Sequence, residues 1–474
     1  MLLFTDISFW IIFVVFLAFY ALVRRWSRVG MLLYVIGFSL LFFWLANGWL
    51  MLLLPAVAFV SWGSGRLLLD RGERFTSAGR RCLLTLAVLV ILLPLLYFKY
   101  TNFLLSSVNA LFSSNFSLVE LALPVGISFF TFQAISYVVD VYRGRFVMRV
   151  TFLEYLFYLS FFPLLLAGPI TRASVLLPQV RRRAPVSERC LYLGLWLVLL
   201  GMVKKCIVAD YIAQYNDWVF SDPQTYSGFE CLMGILGYTV QIYCDFSGYS
   251  DMSIGIAAML GFRLRENFAF PYRAHNPSEF WRRWHISLSQ WFRDYLYIPL
   301  GGNRCGLART YINNIITMLV AGLWHGSTWM FVLWGGIHGL GLVVNKACRP
   351  WLRRLPDLVW INGASIALNF LFVAFAWVFF RSDSVAGALH LLHRSVSDFD
   401  IAYLWPFIVA RPWWCFLVAL PLVAHGVSDR GFRRIQMRFI CLPWLVKFLI
   451  FALVIQILLQ FSTSNVQPFI YYQF

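Results

Sequence analysis

Long apolar runs alternate with short basic loops along most of this sequence, beginning with the run from Phe9 to Val23. The apolar residues are continuous within each run, whereas a half-buried strand would alternate apolar and polar positions. Runs of this kind are typical of helices that cross a membrane. The pattern therefore predicts an all-α polytopic membrane protein with about 10 to 12 membrane-spanning helices. Further runs lie at 31–46, 49–65, 82–98, 119–141, 190–207, 358–380, 402–424 and 441–461.

Two other runs do not fit a single straight crossing. Residues 151–169 would place Arg181 to Arg183 on the outer side if they crossed the membrane. Residues 228–262 would extend roughly 50 Å as one helix, against roughly 30 Å of hydrocarbon. We expect a broken or re-entrant segment in the first run and a break at "CDFSGYSD" (Cys244 to Asp251) in the second. Irregular backbone at membrane depth is tolerated only inside protein or beside water, so the irregular segment in residues 151–169 predicts a cavity beside it.

The charge of the chain is concentrated in its loops. Only 13% of the residues are charged and 61% are hydrophobic, whereas a soluble domain has roughly 25% charged residues. A formal net charge of +18 would suggest nucleic acid in a soluble protein. Here the basic residues lie in short loops that mark the cytoplasmic side, so we predict no nucleic-acid partner. The basic face would suit an anionic cofactor or lipid headgroups.

The basic clusters also orient the chain. "RRWSR" (Arg24 to Arg28) follows the first run, so the N-terminus is expected outside. Asp6 precedes that run where a signal peptide would be basic, so the run is expected to be an anchor. Residues 263–309 are expected inside and the final "PFIYYQF" outside. No linker divides the chain, so residues 1–474 are predicted to form one integral-membrane domain.

An amphipathic helix is predicted over residues 277–297, because apolar and polar side chains fall on opposite helical faces. Asn276 can cap this helix and Pro277 suits its first position. We expect it to lie at the cytoplasmic interface, either as a passive anchor or as part of a binding surface. His285 lies next to the apolar face and fits both readings. The apolar face consists of Phe280, Trp281, Trp284, Leu288, Trp291, Phe292 and Tyr295.

The segment "YIPLGGNR" (Tyr297 to Arg304) follows that helix. Its Gly301 and Gly302 permit a tight turn. Asn303 and Arg304 could bind phosphate or acidic groups. An ordinary interfacial turn would explain the same residues.

Two acidic residues, Asp245 and Asp251, lie inside an apolar region. Acids within a membrane are costly, so they usually face a cavity or a basic partner. The sequence leaves a functional role and a structural ion pair equally open.

The segment "LVAGLWHGSTWMFVLWGGIHG" (Leu319 to Gly339) belongs to a hairpin predicted over about 310–346. Its first arm, 311–324, would be roughly 21 Å long as a helix, so we expect His325 at membrane depth where the hairpin turns. His338 lies on the return arm. A neutral imidazole can take a proton from an attacking hydroxyl and return it to a leaving group. For His325, depth, neighbouring glycines and a predicted cavity favour this role over that of an ordinary buried histidine, whereas for His338 the two roles are equally open.

Other chemistries have weaker support. Serine or cysteine catalysis needs a nucleophile beside a base, and neither G-x-S-x-G nor a cysteine signature occurs in the sequence. A metal centre needs three or more suitably spaced ligands, so no metal site is predicted.

With these motifs the sequence resembles the membrane-bound O-acyltransferases, and among them the bacterial branch that acylates exported polymers. The resemblance covers nearly the whole chain, and the series "RRWH…LGGNR…LWHG" is its most specific part. The motifs that carry it are "LPVGISFFTFQAISYVVDVYRG" (Leu123 to Gly144), "AGPITR" (Ala167 to Arg172), "DFSGYSDM" (Asp245 to Met252), "EFWRRWHISLSQWFRDYLYIPLGGNR" (Glu279 to Arg304), "GLWHG" (Gly322 to Gly326), "WGGIHG" (Trp334 to Gly339) and the final "PFIYYQF".

The resemblance implies a ring of tilted helices around a thin core, with funnels from both faces. It implies that His325 is the essential catalytic residue and that His338, Asp245 and Asp251 are important for activity. The acyl donor, acetyl-coenzyme A, is expected to enter from the cytoplasm without being a permanently bound cofactor. The acyl group is expected to leave on the far side of the bacterial inner membrane. The implied partners are a periplasmic protein of the SGNH-hydrolase type, a polysaccharide synthase and export complex, and membrane lipids.

The donor side is our own hypothesis. Acetyl-coenzyme A carries several phosphate charges, so Arg282, Arg283 and Arg304 are candidate contacts. His285, Asn303 and Trp324 are predicted to line the same donor side.

Other functions stay open on the sequence. A transporter of an acylated molecule would show inverted repeats and a through-going polar path, and neither is clear. A scaffold for a synthase complex would tolerate substitution of the acids and histidines. D-alanyl transfer to teichoic acid is the main competing reaction within the family, which the extended C-terminal region and the close match to "RRWHISLS" disfavour. The sequence does not separate alginate from cellulose or another glycan.

Overall fold

The computed structural model describes residues 3–70, 74–165, 168–183, 186–352, 354 and 356–461. Within these ranges the regular structure is helical throughout, as predicted. The chain forms two compact units: a first unit of Met1–Leu195 with Ser253–Arg265, and a second unit of Trp196–Met252 with Glu266–Phe474. The single domain over 1–474 stays a prediction. Ala167 and the final "PFIYYQF" lie outside the described residues.

The first unit consists mainly of apolar helices whose ends are fixed by polar side chains. Ser27 caps α2 by accepting the backbone N–H of Gly30 at 3.1 Å. Thr151 and Glu154 form a reciprocal capping box at the start of α7. Its helices are α1 (Ile7–Trp26), α2 (Arg28–Asn47), α3 (Leu53–Asp70), α4 (Ser77–Leu95), α5 (Thr101–Phe112), α6 (Ile127–Tyr142), α7 (Phe152–Ser160), α8 (Phe162–Leu165) and α9 (Ala173–Arg182).

The second unit contains the motifs on which the functional predictions depend. Two helices, α10 (Glu188–Met202) and α12 (Gly228–Met259), contribute residues to both units. A π-helical segment, Val203–Ala209, follows α10. The other helices of the second unit are α11 (Asp210–Ser221), α13 (Pro277–Arg283), α14 (Ile286–Phe292), α15 (Leu307–His325), α16 (Trp329–Leu352), α17 (Val359–Arg381), α18 (Val385–Ser397), α19 (Leu404–Ala410), α20 (Pro412–His425), α21 (Asp429–Cys441) and α22 (Trp444–Phe461).

Among the described helices, seven are long and apolar enough to cross a membrane. The number is up to eight if Ile401–Ala410 and Pro412–His425, bent by 103°, form one span. The sequence predicted about 10 to 12 crossings, and one of the additional crossings arises because the runs 31–46 and 49–65 were counted separately. In the structure both lie within one helical stretch, Arg28–Asp70. The chain is a multi-pass membrane protein, and the assignment of each loop to a side stays a prediction.

The predicted break in residues 151–169 is confirmed. α7 ends at Ser160, Phe161 has the non-helical dihedral angles φ −56° and ψ 105°, and the four-residue helix α8 follows. The segment is therefore too short and too irregular to be one straight spanning helix.

The predicted break at "CDFSGYSD" is wrong, because α12 runs through it without interruption. Its 32 residues extend roughly 48 Å. The helix need not break to accommodate its acids, since lysines of Val203–Ala209 pair with both of them from the side. Gly248 allows this close approach, because a Cβ there would lie 2.8 Å from the Gly201 carbonyl oxygen.

The predicted single helix over 277–297 is also wrong. α13 ends at Arg283 and α14 begins at Ile286, because His285 adopts a left-handed conformation with φ +42°. The N–H of Ile286 donates to the carbonyl of Asn267 at 2.9 Å. The apolar face is not spread on a surface, since Phe280 and Trp284 are fully buried.

The predicted hairpin is present as α15 and α16, but its first arm is longer than expected. α15 begins at Leu307 rather than Tyr311 and has 19 residues, or roughly 29 Å of helix. The length argument that placed His325 at mid-depth therefore fails. The prediction that His325 lies where the hairpin turns is confirmed, because it is the last residue of α15.

Candidate functional site

His325 lies at the C-terminal end of α15, and three residues separate it from Trp329, the first residue of α16. Its side chain is almost completely buried, with 2% of its surface exposed. His338 lies in α16 and is fully buried. The structure therefore places both predicted histidines inside the second unit, on the two arms of one hairpin.

Trp334 joins the two histidines. Its ring centroid lies 5.0 Å from that of His325 and 4.9 Å from that of His338. Both imidazoles meet the indole at a steep angle, 86° and 71° respectively. The two imidazoles therefore share one indole within a single compact site.

The two arms approach closely because glycines face each other between them. A Cβ on Gly322 would collide with the carbonyl of Phe331, and a Cβ on Gly335 would collide with the carbonyl of Met318. Each of these built Cβ atoms lies 3.3 Å from the Cα of the other glycine. The backbones are thus close enough for Trp334 to reach both histidines, which explains the glycines of this segment.

Aromatic rings from α13, α15, α16 and α17 surround the two imidazoles. His325 lies 5.6 Å from Phe380, and His338 lies 5.1 Å from Trp281, measured between ring centroids. We call this set the aromatic chamber. Its rings are Phe280, Trp281, Trp324, Trp334, Phe372, Trp377 and Phe380.

His338 has unused hydrogen-bonding capacity. Both of its ring nitrogens are buried, and no described residue hydrogen-bonds to either. Buried polar atoms are nearly always hydrogen-bonded in folded proteins. Either nitrogen could therefore form a hydrogen bond with a substrate.

His285 joins the same site from the junction of α13 and α14. It is fully buried, and its ring centroid lies 5.9 Å from that of Trp324, which directly precedes His325. Phe246 of α12 packs edge-on against its other side at 4.7 Å. Two residues predicted for the donor side, His285 and Trp324, are therefore brought together with His325.

The two predicted acids lie in a different cluster, where lysines neutralise them. Lys204 Nζ lies 2.7 Å from a carboxylate oxygen of Asp251. Lys205 forms ion pairs with Asp245 and, at 2.8 Å, with Asp210. We call these five residues the lysine–aspartate cluster. Neither lysine was predicted from the sequence to belong to this site, and nor was Asp210. The available signal was the pair of lysines inside the apolar run 190–207.

A cavity of about 370 Å³ adjoins this cluster in the second unit. Lys204 and Asp251 line it, together with aliphatic side chains of α10 and α20. The exposed residues Glu266 and Arg433 contribute further charges. Phe268 forms part of its wall and lies 6.3 Å from the His285 ring. One aromatic side chain thus stands between this cavity and the histidine site.

The structure gives different surroundings to the other predicted donor contacts. Arg283 is bonded to Glu279, at 2.8 Å and 2.9 Å, and to the carbonyl of Ala269. Arg282 is exposed. The guanidinium of Arg283 is therefore used to hold its own segment together.

The predicted "LGGNR" turn is present, because Gly301 and Gly302 both have positive φ. Asn303 and Arg304 are exposed. Asn303 accepts hydrogen bonds from the Tyr297 hydroxyl and, at 3.2 Å, from Lys346. Lys346 is a second cation at this turn that the sequence analysis did not single out.

Comparison with known proteins identifies the relatives of this chain. The model of the MBOAT, membrane-bound O-acyltransferase family, matches residues 147–385, which include both histidines of the hairpin. The chain is 41% identical to the probable alginate O-acetylase AlgI of Azotobacter vinelandii over 74% of its own length and 70% of the relative. It is 38% identical to the peptidoglycan O-acetyltransferase of Helicobacter pylori, over 68% and 66%. It is 26% identical to the teichoic acid D-alanyltransferase of Bacillus subtilis, over 54% and 68%.

Proposed function

We propose a specific reaction for this chain, which belongs to the membrane-bound O-acyltransferase family: it moves acetyl groups from a cytoplasmic donor across the inner membrane for O-acetylation of an exported polysaccharide. That it is a membrane O-acetyltransferase follows from its family and from its similarity to O-acetylating relatives. Acetyl-coenzyme A as donor, the direction of transfer and the identity of the glycan are parts of the proposal.

The observation that carries the proposal is the burial of His325 and His338 around one shared indole. In the proposed reaction the acceptor hydroxyl oxygen attacks the acetyl carbonyl carbon, an O–C bond forms and the thioester C–S bond breaks. His325 takes the hydroxyl proton as general base and passes it to the departing thiolate. His338, whose nitrogens have no described partner, binds a substrate oxygen. The surrounding rings exclude water that would hydrolyse the donor.

The cavity beside Lys204 and Asp251 is our candidate for the donor entry. Its exposed charges, Glu266 and Arg433, belong to the segments 263–309 and Arg430 to Arg438, for which the basic residues predict a cytoplasmic location. Its aliphatic wall would suit the uncharged arm of a coenzyme A thioester, and Arg433 would suit a phosphate. In this proposal Asp245 and Asp251 support the site through their lysines rather than by touching the reacting atoms.

Acetyl transfer is favoured over D-alanyl transfer by the degree of similarity. Identity is 41% to the alginate relative over 360 residues and 26% to the teichoic acid relative over 270 residues. We therefore propose an alginate-type polymer as substrate, with cellulose or peptidoglycan as the alternatives. The proposed partners are a periplasmic SGNH-type acetyltransferase and the polysaccharide synthase and export complex.

The proposal is tested in cells by the acetyl content of the exported polymer. We expect His325→Ala to reduce it by at least 100-fold, since general base catalysis contributes about 10²–10⁴-fold. His393→Ala is the matched control, because this histidine lies exposed on α18. Unchanged acetylation in His325→Ala cells with normal protein levels would refute the assignment. A donor that crosses the membrane with its acetyl group still attached would favour the transporter instead.

A further inference from the structure

His285 is held in an unusual way for a buried histidine. Its backbone is left-handed, with φ +42°, a conformation that costs energy for any residue with a Cβ. Its side chain is fully buried between Phe246 and Trp324. Such strain persists where the surrounding structure imposes it, and it clusters at functional sites.

Asn267 imposes this conformation from both its backbone and its side chain. Its carbonyl accepts the N–H of Ile286 at 2.9 Å. Its side-chain oxygen accepts the backbone N–H of Ser287 at 3.2 Å and the Ser287 hydroxyl at 2.9 Å. Its side-chain nitrogen donates to the Ser250 hydroxyl at 3.3 Å. Asn267 is itself buried, with 1% of its surface exposed.

These contacts fix the orientation of the Asn267 amide. A backbone N–H can only donate, so the atom that faces the N–H of Ser287 must be the oxygen Oδ1. Turning the amide over would place an NH₂ group against that N–H. The orientation therefore follows from hydrogen-bond chemistry.

The amide orientation in turn fixes the proton on His285. Nδ1 of His285 lies 3.2 Å from the same Oδ1. An amide oxygen has no proton to give, so Nδ1 must carry the hydrogen and donate it. A neutral imidazole protonated at Nδ1 has a lone pair at Nε2. Nε2 is buried, and no described residue hydrogen-bonds to it.

We propose that Asn267 is a positioning residue that holds His285 in the Nδ1–H form, so that Nε2 accepts a hydrogen bond from an O–H or N–H group of the acetyl donor or of the acceptor. This inference rests on the proposed acetyl transfer for its functional part. Its location follows from Trp324, which separates the His285 ring from that of His325 by centroid distances of 5.9 Å and 5.0 Å. His285 would then be a substrate-binding residue, and Asn267 would act only through it.

The first test is spectroscopic and does not depend on activity. Full-length protein with ¹⁵N-labelled histidine is compared with the His285→Gln variant, whose missing signals identify His285. We expect a protonated Nδ1 and an unprotonated Nε2 in the wild type, and loss of this single form in Asn267→Ala. A wild-type His285 protonated at Nε2 would overturn the inference.

The second test is kinetic and separates positioning from packing. Asn267→Ala is expected to lower kcat by roughly 10- to 100-fold. Asn267→Asp keeps an oxygen acceptor for Nδ1–H and should restore most of the activity. The matched control is Asn369→Ala, since Asn369 is another buried asparagine of the second unit, 5% exposed. Equal losses in Asn267→Ala and Asn267→Asp, or an equal loss in the control, would overturn the inference.

Two arms of the kinetic test identify the group that Nε2 binds. A rise in KM for acetyl-coenzyme A in His285→Gln assigns the hydrogen bond to the donor. A fall in kcat with unchanged donor KM assigns it to the acceptor. If no acetyl transfer is found in the wild type while His285 has the expected tautomer, the proposed function fails and the positioning by Asn267 stands.

Discussion

The aromatic chamber and the lysine–aspartate cluster both lie in the second unit, but their polar groups have different surroundings. In the cluster each carboxylate has an ammonium partner, as in the 2.7 Å contact of Lys204 with Asp251. In the chamber the imidazoles of His325 and His338 are packed against ring edges. An ion-paired carboxylate is neutralised by its partner, whereas a neutral imidazole can take a proton from a substrate and return it.

This contrast indicates different roles for the charged residues of the cluster and the histidines of the chamber. The cluster holds α12 against the π-helical segment Val203–Ala209. The chamber supplies the groups for chemistry. Substitutions in the cluster should therefore reduce stability first, and substitutions in the chamber should reduce turnover first.

The largest effect on stability is expected from removing Lys205. This lysine is 1% exposed and pairs with both Asp245 and Asp210. Lys205→Met leaves the buried carboxylate of Asp245 and the partly buried carboxylate of Asp210 without their ammonium partner, which should cost about 3–5 kcal/mol. Thermal unfolding in detergent measures the loss.

The double variant Lys205→Met with Asp245→Leu sharpens this prediction. Removing both partners of a buried pair is far less costly than removing one. The double variant should therefore be more stable than Lys205→Met alone. If Lys205→Met unfolds at the wild-type temperature, the cluster does not stabilise the second unit.

A smaller effect is expected from filling the gap between the hairpin arms. Gly322→Ala would place a Cβ against the carbonyl of Phe331, which should cost about 1–3 kcal/mol through overpacking. It should also move Trp334 relative to His325 and lower turnover. Gly336→Ala in α16 is the control, because the nearest atom to its Cβ is a leucine side chain at 3.6 Å. Equal stability of the two variants would contradict the close approach of the arms.

A third prediction concerns Lys204, which is more accessible than Lys205, with 20% of its side chain exposed. Lys204→Met should cost about 1 kcal/mol of stability, because its ion pair with Asp251 is partly solvated. If the adjoining cavity admits the donor, KM for acetyl-coenzyme A should rise while kcat stays nearly constant. A lower kcat with unchanged KM would contradict the proposal that the donor enters through this cavity.

The smallest effect is expected at the "LGGNR" turn. Arg304 is exposed, so Arg304→Ala should change stability by less than about 0.5 kcal/mol. If Arg304 contacts the donor, Arg304→Ala should raise KM for acetyl-coenzyme A about fivefold, which corresponds to about 1 kcal/mol. The increase should disappear at high salt. If KM of Arg304→Ala equals that of the wild type at low salt, Arg304 does not contact the donor.

Local patterns in the sequence were sufficient for some features of this molecule. Continuous apolar runs predicted the helices, and the motif around His325 predicted the hairpin turn at that residue. The conflict between Pro163 and the following arginines predicted the broken segment after Thr151. Each of these features depends on residues close together in the chain.

Other features depend on partners far away in the sequence, and periodicity could not reveal them. Lys204 lies 47 residues before Asp251, and Lys205 lies 40 residues before Asp245. These long-range ion pairs allow α12 to continue where a break was predicted. The left-handed conformation of His285 interrupts a perfect amphipathic pattern because Asn267, on another segment, binds the backbone of Ile286. The sequence pattern therefore predicted the histidines of the site but not the distant residues that fix the surrounding backbone.

The most direct test of the central claim is single-turnover transfer of labelled acetyl from acetyl-coenzyme A by purified protein together with its acceptor partner. His325→Gln keeps a polar side chain in the chamber but removes the base, so we predict a rate reduced by about 10²–10⁴-fold. The protein should keep its wild-type thermal stability, because His325 takes no part in the lysine–aspartate cluster. A near wild-type transfer rate in folded His325→Gln would contradict the claim that the chamber is where the chemistry occurs.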